Sequence, residues 1–210
     1  MKSRTVQQPT PAEAWQEMVR GNERFITGKP RHPRQDVERR EELGLSQAPH
    51  ATLFGCSDSR LAAEIIFDKG LGDLFVIRNA GQVISDSVIG SIEYAVEVLA
   101  VPLIVVLGHD ECGAVRAAIE SQQQNPPALP PHVNSLIQHV VPAVKRVPTI
   151  AGYLDPQEVG KEHLRETVRQ LVETSELISD AVAEGRLAVV GANYRLLEGR
   201  VVPHIVIGAV

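Results

Sequence analysis

The sequence predicts an α/β fold: one domain with a mainly parallel four-stranded sheet, a C-terminal antiparallel edge strand and flanking helices. Three observations lead there. Short apolar runs alternate with helical patterns along the chain, the signature of a parallel sheet. The run "VPLIVVLGH" at 101–109 is apolar throughout, as a strand buried on both faces should be. With 210 residues, 43% of them hydrophobic, the chain can bury one substantial core.

The elements follow in order. In "TPAEAWQEMVRGNERFITG", Thr10 suits a helix cap, Pro11 the first helical position and Glu13 the capping box. Trp15, Met18 and Val19 fall at helical spacing, and Gly21 is expected to end this helix. Pro30 and Pro33 mark extended loop, followed by a short helix near Asp36 to Leu43. Strands are expected at 51–55, 73–81, 101–109 and 187–196, and a fifth at 201–208 after a turn at Glu198–Gly199. Helical patterns cover roughly 61–69, 85–99, 112–124 and one long stretch, 156–184. In the last, Leu164, Val168, Leu171, Val172 and Ile178 form an apolar stripe. The proline-rich "QQQNPPALPPHVNS" at 122–135 reads as a surface loop. No repeat or second domain is evident, so residues 1–45 are expected as a helical arm and 46–210 as the core.

A net charge of −5, without a long like-charge block, gives no footprint for nucleic acid and no basic face for a membrane surface. No apolar stretch reaches bilayer length, and "MKSRTVQQPT" lacks the apolar core of a signal peptide. A cytoplasmic protein is therefore expected. In that compartment a structural disulfide is disfavoured and paired thiols more often bind metal or act in catalysis.

Both cysteines sit in chemically loaded stretches, Cys56 in "GCSDSR" and Cys112 in "GHDECG". Ligands of open parallel sheets bind beyond the carboxyl ends of the strands, and Cys56 and His109 each close a predicted strand. If those strands are neighbours, two thiolates and an imidazole converge, a donor set suited to tetrahedral zinc. Asp58 is placed to offer a fourth ligand. Each residue alone has an ordinary structural reading, a buried thiol or a hydrogen-bonded histidine; their pairing at two strand ends favours the metal.

"CSDSR" followed by "GHDECGAV" resembles the paired zinc motif of the β-class carbonic anhydrases. "GNERF", "FDKGLGDLFVIRNAG", "GSIEYAV" and "VPLIVVLGH" extend the likeness over most of the chain, which is most similar to mycobacterial-type members. The resemblance implies zinc held by Cys56, His109 and Cys112, with Asp58 and Arg60 as a catalytic dyad. It further implies a substrate pocket with Gln47, Phe75 and Tyr94, as in the plant-like subgroup and often shared across a dimer interface. Ala80 stands at a pocket position held by a small branched residue in that subgroup, and Gly113 is taken as a backbone donor to substrate. Another subgroup has a regulatory bicarbonate site marked by a tryptophan three residues before the first zinc cysteine; here Leu53 stands there, so that site is not expected, although Arg78 is retained.

The implied activity is reversible hydration of carbon dioxide to bicarbonate and a proton, by water that zinc acidifies from a pKa of ~15.7 toward ~7. Two thiolates should make this zinc a weaker acidifier than one held by three histidines, so activity should rise through mildly alkaline pH. Asp58 can either pair with Arg60 or ligate zinc and displace the water, low pH favouring the latter. The assembly implied is a dimer or tetramer, with N-terminal helices extending onto a partner. Two rival readings remain: hydrolysis of carbonyl sulfide or carbon disulfide on the same fold, and a non-catalytic zinc-stabilised scaffold. A redox dithiol is disfavoured because no Cys-x-x-Cys pair occurs.

Overall fold

The structure is a computed structural model in which residues 8–210 are described. Residues 1–7, part of the expected arm and of the stretch read against a signal peptide, lie outside the described residues.

Five strands form one sheet in the order β2-β1-β3-β4-β5. They are β1 (Ala51–Cys56), β2 (Leu74–Asn79), β3 (Leu103–His109), β4 (Ala188–Arg195) and β5 (Arg200–Ile207). The first four run parallel, and β5 returns antiparallel to β4 through the turn at 196–199. The architecture is the expected one. β1 and β3 are direct neighbours, with Leu53 opposite Val105 and Gly55 opposite Leu107. Chain order reverses between them, which opens a crevice at their carboxyl ends.

Residues alternate across β3 between two apolar layers. Leu103, Val105 and Leu107 join Met18, Leu53, Phe67 and Val190 on one face. Ile104 and Val106 join Phe54, Ile92, Leu164, Val168 and Leu171 on the other. Both faces are covered, which explains why β3 carries no polar residue before its end.

α1 (Pro11–Ile26) has the capping box expected of Thr10 and Glu13. It does not stop at Gly21. That residue lies inside the helix, where a Cβ would sit 1.8 Å from the Phe67 carbonyl oxygen. Gly21 is a close-packing residue, and helix-stop reasoning from composition misread it. Nor does α1 stand off as a free arm. Ala14 and Met18 enter the core of their own chain, and Asn22 bonds the Ile66 and Gly199 carbonyls and the Val201 N–H. The following segment is tied down by Arg34 on Asp73 and by Arg24 and two backbone N–H groups on Asp68.

α2 (Val37–Glu42) is capped by Asp36 as expected. α3 (Ala63–Ile66) is only four residues long. α4 (Asp86–Glu93) continues into a π-helical turn, Tyr94–Val98, a departure from the uniform helix expected at 85–99. α5 (Gly113–Glu120) follows β3 directly. The stretch expected as loop contains the start of a helix, α6 (Pro131–Ile137), which opens on a proline at its first position; α7 (Val141–Arg146) follows it. The single long helix expected at 156–184 is two, α8 (Pro156–Thr174) and α9 (Glu176–Ala183). Ser175, with φ −114° and ψ 107°, breaks the run and caps α9 through its side chain. The apolar stripe continued across that break, which is why the periodicity concealed it.

Candidate metal centre

Strand β1 ends at Cys56 and β3 at His109, and Cys112 stands at the N-terminal boundary of α5 three residues later. The parallel register of β1 and β3 brings these ends together. The two Sγ atoms and a His109 ring nitrogen all lie within 4.8 Å of one another, and all three residues are buried. The His109 ring is held from behind: Nδ1 lies 2.7 Å from the Asp110 carbonyl and donates to it. That fixes the tautomer and leaves Nε2 as a bare acceptor, buried without a hydrogen-bond partner among the described residues. An orphaned, buried imidazole nitrogen beside two thiols suits a metal ion, because coordination would satisfy all three.

The backbone around the thiols favours thiolate. Gly81 N–H points at Cys56 Sγ over 3.3 Å, and the Asp58 N–H also turns to it. The Cys56 thiol is held well below its ordinary range, first by the hydrogen bond from Cys112 and then by His109 and these N–H groups. The shared proton pushes Cys112 the other way, and burial adds to it, despite N–H groups of Ala114 and Val115 at the start of α5. Burial, the largest influence, lowers the His109 pKa, but Cys56, the Asp110 carbonyl and the Asp58 carboxylate together reverse this and raise it.

Asp58 faces Arg60. The guanidinium donates to both carboxylate oxygens at 2.8 and 2.7 Å, and the Arg60 backbone N–H adds a third bond at 2.9 Å. This grip holds the Asp58 carboxyl far below the usual carboxylate range. Asp58 Oδ2 stands 4.0 Å from His109 Nε2, beside the three-residue group and outside it. Of the two arrangements open to this carboxylate, the structure has the Arg60-paired one.

Two supports were not read from the sequence. Arg78 clamps the turn from β1: its Nε donates to the Cys56 carbonyl at 3.0 Å and Nη2 to the Asp58 carbonyl at 2.6 Å. Both acceptors are backbone carbonyls, so residue type gave no signal for this role. Glu111 adopts a left-handed φ of 52°, rare for a residue with a side chain, and its carbonyl accepts from Arg60 at 3.3 Å. That kink lets the chain turn from His109 back to Cys112 within three residues.

The expected pocket residues divide into two groups. Ala80 is exposed next to Gly81, and Gly113 is exposed next to Cys112 as the first residue of α5. Gln47, Phe75 and Tyr94 do not reach it within one chain. Phe75 pairs with Thr52 and Asn79 with Cys56, four residues apart, so Phe75 lies about 13 Å down the sheet from the metal end. Gln47 is exposed just before β1, at that same amino end. Phe75 and Tyr94 do meet each other, their ring centroids 6.1 Å apart, with Tyr94 46% exposed. Leu53, where another subgroup has tryptophan, is core.

Comparison with known proteins agrees with this geometry. The profile of a family described as "Carbonic anhydrase" matches residues 51–201. Carbonic anhydrase 2 of Mycobacterium tuberculosis is 50% identical over 193 residues, covering 91% of this chain and 92% of that protein. A carbonic anhydrase of Mycolicibacterium smegmatis is 48% identical over 192 residues, again covering 91% and 92%. Among solved structures, a Coccomyxa β-carbonic anhydrase in complex with acetazolamide superposes with a TM-score of 0.70 at 25% identity, covering 80% of this chain and 78% of that one. The β-carbonic anhydrase CcaA gives 0.70 at 26% identity, covering 93% and 99%. The chain belongs to the carbonic anhydrase family, with the fold of its β-class. No described helix is long and apolar enough to cross a membrane.

Proposed function

We propose that this chain catalyses the reversible hydration of carbon dioxide to bicarbonate and a proton, with one zinc ion per subunit held by Cys56, His109 and Cys112. The observation that carries this reading is the buried trio of ligand atoms within 4.8 Å, in a family member half identical to proteins named carbonic anhydrase. Zinc, when bound, supplies the Lewis acidity that makes hydroxide available near neutral pH.

The chain's own residues do the rest. His109 presents Nε2 because Asp110 holds its other nitrogen. Asp58, kept ionised by Arg60, is an acceptor that aligns the nucleophile's proton away from substrate. Arg60 fixes that carboxylate and keeps it from swinging onto the metal; loss of the pairing is the route to an inactive state with Asp58 as a ligand. Ala80 and Gly113 border the space for a small uncharged molecule, and Gln47, Phe75 and Tyr94 of a second copy complete it. The working form is thus a dimer or tetramer, with any N-terminal extension onto a partner made from the outer side of α1. The expected location is the cytoplasm.

Stopped-flow hydration with a pH indicator tests the reading. Activity that tracks zinc content, is lost to a chelator and returns with zinc is expected, rising through mildly alkaline pH. Absence of turnover in zinc-replete protein would sink it, leaving a zinc-stabilised scaffold. Preference for carbonyl sulfide in a competition assay would transfer the same residues to sulfur chemistry.

A further inference from the structure

The turn after β2 carries a contact that none of the roles above uses. Asn79 closes this turn with two side-chain bonds to the Val83 backbone, and Gly81 sits at its tip with φ 79°. Gly81 is confined on three sides. Its N–H reaches Cys56 Sγ at 3.3 Å. A Cβ on it would sit 2.7 Å from Ala114 Cβ, so α5 lies against it. Its carbonyl accepts a 2.7 Å hydrogen bond from Nε2 of His163, a residue of α8 that is 3% exposed.

His163 is an unusual choice for its place. Its neighbours on α8, Val159, Leu164, Val168 and Leu171, are fully buried apolar residues, and a leucine at 163 would pack without burying a polar ring. Burial pushes the His163 pKa down, so the ring stays neutral and offers one N–H. That N–H goes to Gly81, and Thr167, one turn on, bonds the His163 carbonyl and reaches the Gln82 carbonyl at 3.5 Å. A polar ring of a core helix is thus spent on one short turn.

We propose that His163 is a positioning residue for the metal centre: by holding the Gly81 carbonyl it aims the Gly81 N–H at the Cys56 sulfur. A hydrogen bond to a metal-ligating thiolate draws charge from the sulfur and orients its lone pairs, and such outer contacts typically govern metal affinity by about 10–100-fold. The inference rests on Cys56 being a metal ligand.

The test compares wild type with His163→Leu, which keeps bulk and loses the donor, His163→Asn, too short to reach, and His163→Gln, which retains a side-chain N–H of similar reach. Each is stripped of metal, melted to record its own stability, then titrated with zinc against a chromophoric chelator and with Co(II) while the thiolate-to-cobalt absorption is read. Zinc affinity about 10-fold or more weaker in the folded Leu or Asn variant, with a displaced cobalt band and recovery in Gln, is expected. Unchanged zinc affinity and cobalt spectrum in either folded variant, whatever its melting temperature, would reduce His163 to a core residue. Wild type that binds neither ion would instead overturn the metal reading itself.

Discussion

The carboxyl and amino ends of the same sheet are built by different rules. At the carboxyl end, Cys56, His109 and Cys112 are buried, and peptide N–H groups and the Arg78 clamp fix the turns around them. At the amino end, Gln47 and Tyr94 are exposed, and the neighbouring loop is tied by the carboxylates of Asp68 and Asp73 to arginines of the N-terminal segment. One end is a finished donor set within a single chain. The other offers an aromatic pair and a glutamine to whatever covers it. The first is held together by contacts within one chain, whereas the second consists of surface groups.

The comparison breaks most visibly at the carboxyl end. Replacing Cys112 by Ser or His109 by Ala should remove essentially all bound zinc and all hydration activity, read by metal analysis and stopped flow. Retention of stoichiometric zinc in either variant would show that the trio is not the site. A smaller effect is expected from Asp58→Asn, which keeps the shape and removes the charge. kcat/KM should fall about 10²-fold while zinc stays bound, the scale of losing one positioned proton acceptor. Loss of zinc along with activity would mean that Asp58 holds the metal after all.

The amino end is tested by complementation. Phe75→Ala should cost activity about 10-fold, the loss of one substrate-aligning contact, without changing zinc content. Mixing it with Cys112→Ser, inactive but with an intact Phe75, should recover activity in hybrids if the pocket is shared. Failure of hybrids to recover would assign Phe75 to its own chain's core. The smallest effect concerns the ties themselves. Burial raises the Asp68 pKa, but the N–H groups of Arg31 and His32 and the Arg24 side chain more than reverse this and lower it. A lowered native pKa stabilises the fold above the unfolded value of ~3.9 and loses that stability as pH falls through the native one. Asp68→Asn should therefore cost about 2 kcal/mol at neutral pH, with the difference from wild type shrinking in acid, as urea melts at pH 7 and pH 3 would record. Equal destabilisation at both values would point to lost packing instead of lost charge.

Much of this was legible in the residues. Apolar runs marked all five strands, most clearly β1, β3 and β4 in the middle of the sheet, where a strand covered on both faces has little use for polar side chains. Thr10 and Asp36 announced their helices because their side chains satisfy backbone donors locally. The break at Ser175 was hidden because a periodic stripe says which side is buried and not whether the axis bends. Gly21 was misread because its reason lies in Phe67, far along the chain. Likewise Arg78 and His163 act on carbonyls, which every residue has, so nothing in the sequence marks which carbonyl they reach.

By itself the sequence determined the class of fold, the identity of the candidate metal-ligating side chains and the presence of Arg60 as a partner for Asp58, because these depend on residue type and on spacing within a few positions. Tertiary structure alone decided that β1 and β3 adjoin, that Asp58 faces Arg60, that four backbone N–H groups surround the sulfurs and that Gln47, Phe75 and Tyr94 lie at the opposite end. Those facts depend on register and on contacts between residues distant in the chain, and hydrogen bonds to the backbone leave no mark on composition.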